Sequence, residues 1–172
     1  MYISIQKRAW RIGKACLVWG GLLIGGSACS EKIEPEPYTY SQLLTGKTSK
    51  GWLLTSIQIV DEGIVQTGSA YQFFHPCIAD DLYVFYANGD RTFEAQEGAS
   101  KCSSGDPDVY VTGNWSVINA TATLQFPLPI FTGTTAVPFT IKELTATSLT
   151  VEYYFFDIDA SYRFIFTAQT SG

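Results

Sequence analysis

The chain has 172 residues, is 46% hydrophobic and 15% aromatic, and carries a formal net charge of −5. Four of its eleven Lys and Arg and none of its sixteen Asp and Glu precede residue 29, so residues 29–172 set seven bases against sixteen acids. That is length for one domain with a real core and not two. The acidity excludes a nucleic-acid surface, whose phosphates demand a basic face, and gives no attraction to anionic lipid headgroups.

The first segment is built for export. Lys7, Arg8, Arg11 and Lys14 precede an uncharged run from Ala15 to Ala28, which ends at Cys29 and turns at once to Ser-Glu-Lys-Ile-Glu-Pro-Glu-Pro. Fourteen residues fall short of the roughly 20 that a membrane-crossing helix needs, so residues 1–28 read as a signal peptide. Gly26-Ser27-Ala28-Cys29 resembles a lipobox, in which the thiol receives a diacylglycerol; it departs at Gly26, where Leu is usual. The alternative is a secretory signal cut after Ala28 that leaves Cys29 as a free thiol. The expectation is a lipoprotein of the cell envelope, held at the outer membrane through lipidated Cys29. Residues 29–40 form its charged, proline-spaced tether and residues 41–172 its domain. Ser30-Glu31 resembles the acidic surface-export signals of some Bacteroidetes lipoproteins.

Ser41 to Gly46 reads as one helical turn with Ser41 as cap and Gly46 as stop. No amphipathic helix follows. Short β-rich runs separated by turn residues follow instead: Trp52–Ile59, Tyr71–Phe74, Leu82–Tyr86 and, after Asn88-Gly89, Arg91–Ala95. Asn-Gly is a strong hairpin signal. A loop over Ser100–Asp108 leads to Thr112–Ile118, which pairs through Asn119-Ala120 with Thr121–Phe126. Pro127, Pro129 and Gly133 mark a longer connection before Val137–Leu144, Ser148–Phe156 and Tyr162–Ala168. Eight or nine strands over about 120 residues predict an all-β fold, an antiparallel up-and-down meander closed into a barrel so that no edge is left open.

Alternation fixes the faces. Leu149, Val151, Tyr153 and Phe155 line one side of their strand while Thr150 and Glu152 take the other; Tyr162, Phe164 and Phe166 oppose Arg163 and Thr167. A slip of one residue would expose each set, so register is firmly specified. Trp52, Tyr83, Phe85, Trp115, Tyr153 and Phe155 are the candidate ligand-binding residues. They either pack as a solid interior or line a cavity for one small ligand, since an eight-stranded barrel is just wide enough for either.

Outside the signal only two cysteines remain besides Cys29. In an exported chain Cys77 and Cys102 are expected to form a disulfide. Closing that loop of 26 residues would stabilise the fold by roughly 3–4 kcal/mol. Two free thiols, or a metal site completed by His75, are the alternatives.

Residues from Leu43 to Phe166 resemble the lipocalin-like domain of Bacteroidetes lipoproteins. The resemblance rests on Leu44-Thr-Gly-Lys47 leading to Gly51-Trp-Leu-Leu54, on Cys77-Ile-Ala-Asp-Asp-Leu-Tyr-Val-Phe85, on Asn88-Gly89, on Glu97-Gly-Ala-Ser-Lys-Cys102 and on Gly113-Asn-Trp115. Ile141-Lys-Glu-Leu144 and Leu149-Thr-Val151 also fit. It departs at Tyr86 and Arg91, where small residues or Thr are more usual, which bears on loop shape rather than fold. The resemblance implies a small antiparallel barrel and, by analogy with lipocalins, an apolar ligand; it carries over no catalytic residues.

The residues themselves suggest no reaction. His75, the only histidine, lacks a nearby nucleophile elbow and reads as a turn residue. Asp80-Asp81, Asp157 with Asp159, and Asp106-Pro107-Asp108 fit turn and N–H capping roles better than a calcium site or a glycosidase pair. No cofactor and no metal is expected. The function expected is non-enzymatic binding of a small apolar or amphipathic ligand in the barrel. The alternative is a filled barrel acting as an interaction module for an outer-membrane protein partner.

Overall fold

The computed structural model describes residues 39–169. The expected signal peptide over 1–28, the lipidation site Cys29 and the tether up to residue 38 lie outside the described residues. The chain begins with the helical turn α1 (Tyr40–Thr45). It continues through strands β1 (Ser49–Asp61) and β2 (Ile64–Ser69), the short helices α2 (Ala70–Phe73) and α3 (Pro76–Ala79), then β3 (Leu82–Tyr86) and β4 (Thr92–Gln96). After a loop come β5 (Val109–Asn114), β6 (Ser116–Ile118) and β7 (Thr123–Pro127), the turn of helix α4 (Pro129–Thr132), and the three long strands β8 (Ala136–Leu144), β9 (Ser148–Phe155) and β10 (Ala160–Ala168).

All the strand pairs are antiparallel, and nine strands run in the order β5-β4-β3-β1-β10-β9-β8-β7-β6. The two ends of that order, β5 and β6, are joined in the chain by Trp115 alone. One run of chain thus pairs with β4 above Trp115 and with β7 below it, which brings the sheet round on itself as a nearly closed barrel. The expected all-β, up-and-down barrel is the observed architecture. The seam is tight at Gly113, where a Cβ would lie 3.1 Å from the Pro127 ring.

β1 is long because it serves two partners on one edge. Its first half pairs with β3 and its second half with β2, while β10 runs along the other edge. The β1–β2 turn has positive φ at both Glu62 (47°) and Gly63 (81°), as a two-residue hairpin of this twist requires.

Alternating side chains fill the interior. Trp52, Tyr83, Phe85, Phe93, Phe126, Phe139, Phe164 and Phe166 are all buried. Phe126 sits with ring centres 5.2 Å from Phe85, 5.5 Å from Phe93 and 5.0 Å from Phe139. From α4, Phe131 drops onto Tyr153 and Phe164, both at 5.2 Å, and plugs the end away from α1. Each ring removes about 150–250 Å² from water, and such tilted pairs add roughly 0.5–1.5 kcal/mol beyond that burial.

Several local expectations are corrected. Tyr71–Phe74 is not a strand: Tyr71–Phe73 is helical, with Phe74 its extended C-cap, because Gln72 reaches back to the Ser69 amide and starts a turn. α1 is capped by Thr39 rather than Ser41, in a capping box with Gln42. Thr112–Ile118 is broken at Trp115, and Asn119-Ala120 lies in a 3-10 turn with Ala122 left-handed, not in a two-residue hairpin. The strand β2 was not expected at all.

Candidate functional site

The six aromatic candidates pack among other rings on the inner side of the strands, and Trp115 also borders open space. Trp52 and Tyr83 face each other across β1 and β3; Phe85 lies 6.3 Å from Trp115, and Tyr153 lies 5.0 Å from Phe155. Between these groups stand Phe93, Phe126, Phe139 and Phe131. Trp52, Tyr83, Phe85 and Trp115 are buried, while Tyr153 and Phe155 are half-buried near the Phe131 plug. Tyr83 keeps a hydroxyl without a hydrogen-bond partner. Tyr110 is near enough to act on its ionisation, but not in bonding geometry, and burial pushes the Tyr83 phenol well above its ordinary range.

Open space occurs at the α1 end instead. A cavity of about 610 Å³ lies between α1, the β3–β4 loop, the β8–β9 turn and Trp115. The walls are tied together by side chains. Gly46 at φ 64° stops α1, leaving carbonyls that two side chains then satisfy. The Lys50 ammonium donates to Leu43 O at 2.6 Å and the Trp52 indole to Leu44 O at 2.9 Å. Lys50 also donates to Ala146 O at 3.1 Å, so it pins α1 to the β8–β9 turn.

The opposite wall is the loop after β3. The Asn88 side chain accepts the Thr92 amide and donates to its hydroxyl, both at 2.8 Å, while Arg91 adopts φ 51°. The hairpin signalled by Asn-Gly therefore forms, but the left-handed residue is Arg91. Trp115 is fixed by its amide donating to Arg91 O at 2.8 Å and its indole to Tyr86 O at 3.1 Å. Arg91 lies over the Trp115 ring at 5.3 Å, and Lys50 over Trp52 at 5.0 Å. Burial holds the Lys50 pKa below its ordinary value.

A second polar cluster is structural in form. Cys77 and Cys102 form the expected disulfide, with Cα atoms 5.1 Å apart. His75 caps α3, and its Nδ1 lies 3.0 Å from Cys77 Sγ. His75, Cys77 and Cys102 cluster as metal ligands would, but the two sulfurs are bonded to each other and supply no thiolate. Asp80 accepts the Ser100 amide and Asp81 the Gly98 amide, in the capping role expected of them. Asp81 also accepts the Tyr110 hydroxyl at 2.8 Å; burial pushes its pKa up to about 6. Asp159 accepts the Tyr154 hydroxyl, and Asp106 the Ser103 amide.

No protein-family model matches the chain, and no curated protein is similar to it. The cavity's contributors Lys47, Lys50 and Arg91 were not among the expected binding residues. They come from two distant stretches, and the only local signal was a bulky cation, Arg91, following Asn-Gly-Asp in a tight loop.

Proposed function

We propose that the chain is an exported lipoprotein, anchored at the outer membrane through Cys29, whose lipocalin-like barrel binds a small amphipathic molecule without chemical turnover. The observation that carries the binding reading is the contrast between the two ends of the space: the barrel interior is packed with rings, whereas a cavity of about 610 Å³ stands open beside Trp115. A cavity of that size suits a drug-sized ligand, with a few polar groups setting orientation against an apolar wall. Ser41, Gln42 and Asn88 supply such groups, and Trp115, Leu43 and Ala87 the wall.

Mass spectrometry of small molecules co-purifying with the native protein tests the reading. A bound amphiphile retained by the wild type and lost from a Trp115→Ala variant supports it; wild-type protein that neither carries a small molecule nor takes up an added amphiphile refutes it. For the anchor, Cys29→Ser moves the protein from the membrane to the soluble fraction, and a variant that stays membrane-bound contradicts lipidation.

A second reading, an interaction module for a protein partner, is favoured by the other end of the barrel. Asp61 pairs with Ala160, so the β1–β2 and β9–β10 turns are neighbours. They expose Ile64 (64%), Phe156 (89%) and Ile158 (63%) together. Crosslinking from position 156 in intact cells separates the readings: a stoichiometric protein adduct supports this one.

A further inference from the structure

We infer that the cavity at the α1 end selects an organic anion: a small molecule with a compact apolar body and one carboxylate, sulfonate or phosphate group, held by Lys47, Lys50 and Arg91. The inference rests on the reading of that cavity as the binding site, and adds the charge of what it binds.

The distribution of charge carries it. The described residues contain six bases in an otherwise acidic domain. Three of them are matched with acids: Lys101 with Asp108, and Lys142 and Arg163 both with Glu152. The other three line this one cavity, no carboxylate lines it with them, and among the described residues none of the three has an ion-pair partner. A random scatter of surface charge would have mixed acids into the same wall. Three unmatched cations facing one concave space raise the local concentration of anions there, even on a protein that repels them elsewhere.

Two details show the cations as donors in waiting. An ammonium has three N–H groups, and Lys50 spends two on the Leu43 and Ala146 carbonyls, leaving one without a protein acceptor. Burial already disfavours its charged form, a penalty that a bound anion would offset. Arg91 makes no side-chain hydrogen bond among the described residues, yet holds a left-handed backbone conformation (φ 51°) that costs a residue with a Cβ about 1–2 kcal/mol relative to the usual one. Its fork of donors is free to take an anionic group edge-on.

A matched pair of fluorescent probes tests this on the full-length protein: anilinonaphthalene sulfonate, and N-phenyl-naphthylamine, which has the same ring scaffold without the sulfonate. The sulfonate is expected to bind about tenfold or more tighter, the scale of one charge-assisted hydrogen bond. Lys47→Gln and Arg91→Gln should each weaken it about threefold or more, and weaken the neutral probe by less. Lys142→Gln, a base outside the cavity, should change neither. Lys50 is set aside, because its variant loosens α1. Raising the ionic strength from about 0.05 to about 0.5 M should weaken the sulfonate alone. Equal affinities for the two probes, or indifference to both Gln variants, overturns the inference while leaving the cavity as a binding site. If neither probe binds, the binding reading falls and the inference with it.

Discussion

The backbone carbonyl of Arg91 accepts the Trp115 amide at 2.8 Å, and its guanidinium lies 5.3 Å from the centre of the Trp115 ring. Arg91 ends the β3–β4 loop and Trp115 is the single residue between β5 and β6, so one contact joins the cavity wall to the barrel seam. The backbone half of that contact survives any change of side chain at position 91. The guanidinium half is available to a ligand.

Arg91→Gly therefore separates fold from binding. Glycine removes the left-handed penalty of about 1–2 kcal/mol. Against that stand a lost cation–π contact and the entropy of glycine, each about 0.5–1 kcal/mol. The expected change in urea-unfolding free energy is within about 1 kcal/mol of zero. A loss well beyond that would mean that the side chain holds the seam.

Phe126→Ala should destabilise by about 3–5 kcal/mol, because a buried ring is removed from among Phe85, Phe93 and Phe139, which cannot collapse into the gap. Chemical denaturation reads this directly. A cost under about 1 kcal/mol would indicate a loosely filled interior with room for a guest.

Much of this interior was legible because it is written in alternation. Leu149, Val151, Tyr153 and Phe155, and likewise Tyr162, Phe164 and Phe166, face inward as their spacing requires, and Leu82–Tyr86 is a strand over the expected residues. Tyr71–Phe74 misled because its rings imitate a strand, while the deciding signal was polar: Ser69 followed three residues later by Gln72. β2 was hidden because Gln66, Thr67 and Gly68 break any apolar pattern; it is held by β1 rather than by burial. The cavity could not be read from spacing. Lys47 and Lys50 meet Arg91 only because β1 pairs with β3 and β3 with β4, and their lack of acidic partners is a tertiary property.

Replacing both Cys77 and Cys102 by Ala should cost about 3–4 kcal/mol, since the link constrains a loop of 25 residues' separation in the unfolded chain. The barrel itself should persist, because the disulfide ties α3 to the β4–β5 loop and crosses no strand pair. Loss of the sheet signal in circular dichroism at 25 °C would contradict this.

Asp81 gives the fold a pH dependence of unusual sign. Its pKa is pushed up to about 6 in the folded state, chiefly by burial, with Glu97 and Asp80 adding repulsion and the Tyr110 and Gly98 donors opposing it. An unfolded aspartate titrates near about 3.9. The folded state thus holds the proton more tightly, and this group's contribution to stability falls as pH rises from about 4 to about 6 and is flat above. Asp81→Asn should remove that slope and raise the melting temperature at pH 7 by a few degrees. An unchanged slope in the variant would assign the titration elsewhere.

Nuclear magnetic resonance of the isotope-labelled protein, titrated with anilinonaphthalene sulfonate, tests most directly where a ligand sits. The account predicts shifts at the Trp115 indole N–H and the Gly46 and Asn88 amides, with the methyl groups of Leu124 and Val151 inside the barrel unmoved. Shifts confined to those interior methyls, with the α1 end silent, would contradict it.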